Sequence, residues 1–396
     1  MDAIVSLADS ETREVSLGPV ASGCEDRISK LPEDVLLYIL SHLPIKDVLR
    51  TSALSKRWKY LWTSVSEIDF NEYNHKLRLD MKTSFLDSVD NVLLRHDPSD
   101  IRKFRLELMM LIIAERINSW VSAAVSHNVQ ELDLSLPFEK HFVLHYSLFT
   151  SESISILKLR MGSYFKFPSF DYAYQTLKPY ILLLHFQMTD LLKESAYVEA
   201  YVDITDLERT EDEFPKRAIS LLSRIHNVKS LTLSTDTMEC LYLEENLQAG
   251  LPTFSSLTHL KVNIGESQYL SDQLLMCLPE KSPNIESLEI PEVSDPDSDL
   301  LSTAVPQCFN TCLKTVVISN IDGHDIGELW FLKYVLENAT VLERVKIFCV
   351  NSGIELVKQE INQQLQPIYI RSKSCVIEFS EESNQEADVF PRFICF

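Results

Sequence analysis

Three stretches carry residue types at spacings that could do chemistry. His141 and His145 stand four apart in HFVLH, a spacing that on a helix points two imidazoles at one zinc ion. A zinc hydrolase of that pattern needs a glutamate directly after the first histidine. Phe142 stands there, and Phe142-Val143-Leu144 reads as strand or core, so no metal is expected. Cys308 and Cys312 are also four apart, but no second pair matches them at zinc-site spacing. The eight cysteines read as buried thiols in a reducing compartment. Asp295-Pro296-Asp297-Ser298-Asp299 is acid-rich, yet it lacks the glycine and distal glutamate of a calcium loop and reads as a solvated turn. The eight glycines form neither GxGxxG nor a P-loop, and there is no GxSxG elbow. No catalytic constellation and no cofactor are expected, so the chain should work by binding.

The elements around these stretches say what it binds. At 396 residues and 45% hydrophobic, the chain can bury a sizeable core. Its net charge of −21 argues against nucleic acid as a partner. The charge is uneven: seven Lys/Arg against four acids between Asp26 and Val65 give +3, leaving −21 − 3 = −24 elsewhere. A basic head on an acidic body points to two partners. The first twenty residues lack the pattern of a secretory signal, and no apolar run is long enough to span a membrane. An intracellular location, cytoplasmic or nuclear, is the expectation, with residues 1–25 disordered ahead of the head and 380–396 a solvated tail.

Within the head, Pro32 suits a first helical turn, and Glu33 and Asp34 complement its dipole. Val35, Leu36, Ile39, Leu40 and Leu43 follow at helical spacing, and Pro44 ends that helix. Asp47 opens a second turn with Val48, Leu49 and Leu54. Ser55 is expected to cap a third short helix carrying Trp58, Leu61 and Trp62. Leu37, Tyr38, Ile45 and Ala53 lie off these stripes, which leaves apolar surface on a second face. Either the rest of the chain or a partner must cover it.

The residues Leu31-Pro32-x-Asp34-x-Leu36, Ile39-Leu40-x-x-Leu43-Pro44, Val48-Leu49, Ser55-Lys56-x-Trp58 and Leu61-Trp62 closely resemble an F-box, here placed at 26–65. The resemblance implies docking onto a Skp-family adaptor, and through it a cullin-based ubiquitin ligase of SCF type. It assigns the docking contact to these residues other than Ser55 and Lys56, together with Val35 and Ile45, with Trp58, Leu36 and Leu49 as expected anchors.

After Trp62, short apolar-x-apolar strands recur. Their first apolar residues are Ile68, Phe104, Leu132, Leu157, Val202, Leu231, Leu260, Leu288, Val316, Val345 and Ile377, separated by 36, 28, 25, 45, 29, 29, 28, 28, 29 and 32. Five successive gaps of 28 or 29, with helical stretches such as LWFLKYVLENATVLE between, predict a leucine-rich-repeat solenoid of one parallel strand and one helix per unit. The 45-residue gap holds an aromatic-rich stretch, 163–195, read as a degenerate repeat with a strand at Ile181–Leu184 rather than an insertion.

The repeats at 227–241, 251–264 and 278–290 read like those of plant F-box/LRR proteins. CLKTVVISNIDGHDIGELWFLKYVLENATVLERVKIF (312–348) resembles the FBD module that closes many of them, here taken as 312–379 after repeats over 66–311. The resemblance implies a non-enzymatic receptor that holds a protein substrate near the ubiquitin-charged enzyme and so raises its effective concentration. A repeat scaffold that binds the adaptor without directing ubiquitination is the alternative. The residue between the two apolar anchors of a strand points away from the core. Asp133, Lys158, Asp203, Thr232, Lys261, Glu289, Val317 and Lys346 are therefore the expected substrate surface. Their mixed charge suits a polar protein partner rather than a lipid.

Overall fold

Prolines set where the helices of the head begin. In a computed structural model, Pro32 stands immediately before α1 (Glu33–Ser41) and Pro44 immediately before α2 (Ile45–Arg50). The structure describes residues 27–28, 30–72, 82–97, 100–108, 112, 114–136, 143, 147–162, 198–205, 214–242, 250–264, 272–291, 305–322, 329–350 and 354–381. His141, His145, the 163–195 stretch, Asp295–Asp299 and the two chain ends lie outside them. Two 3-10 turns follow α2, at Thr51–Ala53 and Trp58–Ser64. The expected Ser55 cap is not what starts the second: the residue before it is Arg57, and no side-chain cap bond forms. A winding of three residues per turn eclipses i and i+3, which stacks Trp58 on Leu61 and leaves Trp62 beside them. All three are buried, with Leu36, Leu40, Ile45, Val48 and Val65.

The chain divides into two units, Met1–Ala196 and Tyr197–Phe396. In the first, a parallel sheet runs in chain order through β1 (Glu67–Asn71), β2 (Lys103–Glu107), β3 (Glu131–Ser135) and β4 (Ile156–Gly162), interleaved with α3 (Lys82–Arg95), α4 (Ala114–Ser126) and α5 (Ser147–Thr150). The second continues the plan with β5 (Glu199–Thr205), α6 (Phe214–Arg224), β6 (Ser230–Ser234), α7 (Thr235–Tyr242), β7 (His259–Asn263), α8 (Asp272–Glu280) and β8 (Ser287–Pro291). It closes with α9 (Gln307–Thr311), β9 (Thr315–Asp322), α10 (Trp330–Asn338), β10 (Arg344–Val350), α11 (Ile354–Leu365) and β11 (Val376–Glu381). The fold is the expected strand-plus-helix solenoid. Its last strand takes in Ser380 and Glu381, which were assigned to the tail.

The strand anchors pair as their spacing predicts: Ile68 with Phe104, Phe104 with Leu132, Leu132 with Leu157, Leu231 with Leu260, Leu260 with Leu288, Leu288 with Val316, Val316 with Val345, and Val345 with Ile377. The fifth strand is the correction. Leu231 pairs with Ala200, not Val202, so the expected anchor is two residues late. A period of two keeps Asp203 on its expected face but moves it one place along the strand, and Tyr201 stands beside Thr232.

Two features fix the register. One carbonyl just before each strand accepts two successive N–H groups of the next repeat. Ser66 serves Arg102 and Lys103, Arg102 serves Gln130 and Glu131, and Gln130 serves Ser155 and Ile156, all at 2.8–3.2 Å. The second unit repeats this from Val198 through Lys229, Thr258, Glu286 and Lys314. A second apolar column lies three residues before nine of the anchors: Val65, Ile101, Val129, Ile154, Val228, Leu257, Ile285, Leu313 and Leu342 are all buried. Nine repeats thus bring three inward residues each to a core that no single repeat could close.

The head is tied to the first repeat at the end of α3. The His96 ring nitrogens lie 2.9 Å from the carbonyl oxygens of Val65 and Asp97. The Asp97 carboxylate accepts from Ser64 Oγ at 2.9 Å, and its N–H donates to the Thr63 carbonyl at 2.9 Å. α2 packs beside β1, the strand that begins the first sheet.

Candidate functional site

Packing divides each helix of the head into a covered and an uncovered side. α1 turns Leu36 and Leu40 inward, where neither is exposed at all. Val35, Tyr38 and Ile39 recur at i, i+3 and i+4 on its other side, and all three are exposed, Tyr38 at 68%. Leu43, Leu54 (67% exposed) and Tyr60 add to the uncovered apolar surface. Tyr38 is held in place: its ring lies 4.6 Å from that of His42, and its carbonyl oxygen lies 2.8 Å from both Ser41 Oγ and His42 Nδ1. The head also exposes the cations Arg27, Lys30, Arg50, Lys56, Arg57 and Lys59. Arg50 pairs with Asp47 at 3.2 Å, and Lys59 Nζ lies 5.2 Å from the centre of the Tyr60 ring.

The two sheet faces turned away from the core differ in chemistry. On the first, charges alternate from strand to strand. Lys103 and Lys158 both reach Glu131, at 3.1 and 3.2 Å, and Arg102 pairs with Glu67. Arg105 contacts Glu107 at 2.8 Å, Asp69 at 3.4 Å and Asp133 at 3.6 Å, while Arg160 meets Asp133 at 2.6 Å. Burial pushes the Asp69 and Glu107 carboxyls up despite Arg105. For Glu131 burial also acts upward, but the hydrogen bonds and charges of Lys103 and Lys158 together outweigh it and hold the group low. A carboxylate held low stabilises the fold above its unfolded pKa and loses that contribution as pH falls through its folded one. Glu131→Gln should therefore lower the melting temperature at pH 7, and the gap from the native chain should close as pH falls below the ordinary carboxylate range. Thermal melts of both proteins across pH check this.

On the second face, the row of residues between the anchors reads Tyr201, Thr232, Lys261, Glu289, Val317, Lys346 and Glu378. Lys261 pairs with Glu289 at 2.7 Å, and Arg344 with Glu378 at 3.3 Å. Charges are fewer here, and Val317 and Phe348 are half-exposed among them.

Two parts of this chain match known families. Residues 28–69 match the F-box domain and residues 302–347 match FBD. The chain carries an F-box and an FBD module on a leucine-rich-repeat solenoid. An F-box/LRR-repeat protein of Arabidopsis thaliana is 26% identical, covering 91% of this chain and 96% of its own length. An F-box/FBD/LRR-repeat protein of the same plant is 26% identical over 82% of this chain and 89% of its own length. Another F-box/FBD/LRR-repeat protein is 23% identical over 91% and 98%.

The expected docking residues of the F-box fall into two sets. Pro32, Asp34, Val35, Ile39, Leu43 and Pro44 are exposed, and Leu31 and Leu49 are half-buried. Leu36, Leu40, Ile45, Val48, Trp58, Leu61 and Trp62 are buried by the chain itself. Two of the three expected anchors, Leu36 and Trp58, therefore hold the F-box together from inside; only Leu49 keeps part of its surface open. Ile45, placed off the stripes by its spacing, is also buried, because Pro44 turns the chain so that α2 begins facing the core. Leu54 and Tyr60, outside the expected docking residues, are also exposed. On the sheets, Asp133 is buried in the ion-pair lattice and Lys158 is bound to Glu131, so neither offers a free charge.

Nothing in the described residues resembles a catalytic site. The buried Cys277 and Cys308 thiols are pushed up by burial to about 11 and about 12, which keeps them from acting as nucleophiles at neutral pH. Among the described residues no cluster of His, Cys, Asp and Glu could hold a metal ion, and no helix is long and apolar enough to cross a membrane.

Proposed function

We propose that this chain is the substrate-recognition subunit of an SCF-type ubiquitin ligase: the F-box docks a Skp-family adaptor, and the repeats hold a protein substrate. The observation that carries the reading is the outward stripe of Val35, Tyr38 and Ile39, extended by Leu43 and Leu54, on a head whose inner apolar residues Leu36, Leu40, Ile45, Val48, Trp58, Leu61 and Trp62 are already buried. A partner that covers it would present apolar pockets together with acidic groups, matching the exposed lysines and arginines of the head. No bond-making group is needed in such a subunit, because tethering converts a bimolecular encounter into a nearly intramolecular one.

The test is co-purification of the full chain with a plant Skp-family adaptor, beside Tyr38→Asp/Ile39→Asp. Both substitutions lie on the surface, so the melting temperature should hardly move. Adaptor affinity should fall by about thirtyfold or more if either residue is a hot spot. Equal capture by native and doubly substituted chains would defeat the reading.

A further inference from the structure

Building on the proposed substrate-receptor reading, we infer that the outward sheet face where the FBD match ends, centred on Lys346 and Phe348, binds an extended peptide that carries a carboxylate and, two residues on, an apolar side chain. The inference starts from a contrast between the two faces. On the first sheet the cations Lys103, Arg105, Lys158 and Arg160 are all committed to acids of neighbouring strands. A charged ligand would have to break that lattice to be read.

The FBD face is arranged differently. Val345, Ile347 and Cys349 of β10 point into the core, so Arg344, Lys346 and Phe348 point out. Arg344 is engaged with Glu378, whereas Lys346 has no ion-pair partner within 4 Å among the described residues. In register its neighbours are Val317 on one side and Glu378 on the other, the latter a carboxylate already shared with Arg344. Lys346 is thus a cation whose flanks are one apolar side chain and one acid turned to another partner.

A bulge shapes the adjoining surface. Ile347 pairs with Ile318 and Cys349 with Ile321, so Ser319 and Asn320 together oppose Phe348. The extra residue lets both Ile318 and Ile321 stay buried. It also breaks the ladder beside Phe348, and bulges of this kind re-aim side chains at functional edges. Half-exposed Phe348 and Val317, with 55%-exposed Val376 on β11, make an apolar surround for the Lys346 ammonium.

The spacing decides the occupant. Lys346 and Phe348 are two residues apart on one strand, about 6.6 Å. An extended peptide laid along β10 repeats that distance between residues i and i+2. One free ammonium suits a single negative charge, and a carboxylate supplies it.

The test is fluorescence anisotropy of the full chain with short labelled Ser/Thr-based peptides containing Glu-x-Phe, Gln-x-Phe or Glu-x-Ser. Glu-x-Phe should bind about tenfold more tightly than either of the others, and added salt should weaken only the glutamate-dependent part. Lys346→Glu should abolish the preference for Glu over Gln, while Lys158→Met, on the first sheet, should leave it intact. Equal binding of Glu-x-Phe and Gln-x-Phe, a Lys346→Glu chain that binds as the native one does, or no peptide binding at all would each overturn the inference. Adaptor capture by the Lys346→Glu chain is expected to be normal, so any of those failures leaves the F-box reading standing. Failure of the native chain to capture adaptor would overturn the latter alone.

Discussion

Trp58→Ala is expected to destabilise the F-box by about 3–5 kcal/mol, the usual cost of removing a large buried aromatic. Trp58 is only 3% exposed and opens the 3-10 turn that also buries Leu61 and Trp62. The cavity left behind would be bordered by side chains already fixed by α1, α2 and the tie to His96 and Asp97, so little relaxation could fill it. Hydrogen exchange should show the loss first in Glu33–Ser64, and adaptor capture should fall with it. The diagnostic is the comparison with Tyr38→Asp/Ile39→Asp, which should lose adaptor at an unchanged melting temperature. If Trp58→Ala instead lost adaptor with full stability, Trp58 would be a contact residue and the division into inner and outer sets would be wrong.

That division was only partly readable beforehand. Helical spacing correctly grouped Leu36 with Leu40, and Val35 with Ile39, but it put all of them on one stripe about five residues wide. An apolar stripe that broad has two flanks. Which one turns inward depends on where Pro44 redirects the chain and where the Trp58–Ser64 turn lands, and neither follows from the period of α1 alone. The winding of the third short helix does not follow from Trp58, Leu61 and Trp62, because the step of three fits 3 residues per turn and the step of four fits 3.6. Three residues are too few to separate the two windings.

The repeats were more legible, since one rule recurs many times and each copy checks the others. Eight anchor pairings follow directly from spacing. The column at anchor minus three could have been read as well: V-x-x-I-x-F at Val65, I-x-x-F-x-L at Ile101 and V-x-x-L-x-L at Val129 and Val228 are one pattern. It marks Val202 as a misfit. With Val202 as anchor, the residue three before is Glu199, an acid where nine other repeats bury an aliphatic side chain. Ala200 is fully buried, yet an alanine hardly looks like an anchor in sequence. The charge lattice of the first sheet was hidden for another reason. Asp69, Arg105, Asp133 and Lys158 are far apart in sequence, and only the strand register places opposite charges side by side.

The same lattice yields the second large effect. Asp133→Ala should cost about 3–5 kcal/mol, the penalty for breaking a buried ion pair by removing one partner. Asp133 is 6% exposed and its carboxylate meets Arg160 at 2.6 Å and Arg105 at 3.6 Å. Removing it strips both guanidiniums of that carboxylate in a part of the sheet water reaches poorly, while Arg105 keeps Glu107 and Asp69. Asp133→Asn retains an acceptor without the charge and should fall between the native chain and Asp133→Ala. Lys261→Met removes one half of a partly exposed pair and should change stability by less than about 1 kcal/mol. Urea unfolding of the three variants separates the cases. A small effect for Asp133→Ala would mean that the first sheet face can give up its internal pairing cheaply, and that face would then compete with the FBD surface as the place where a charged substrate is read.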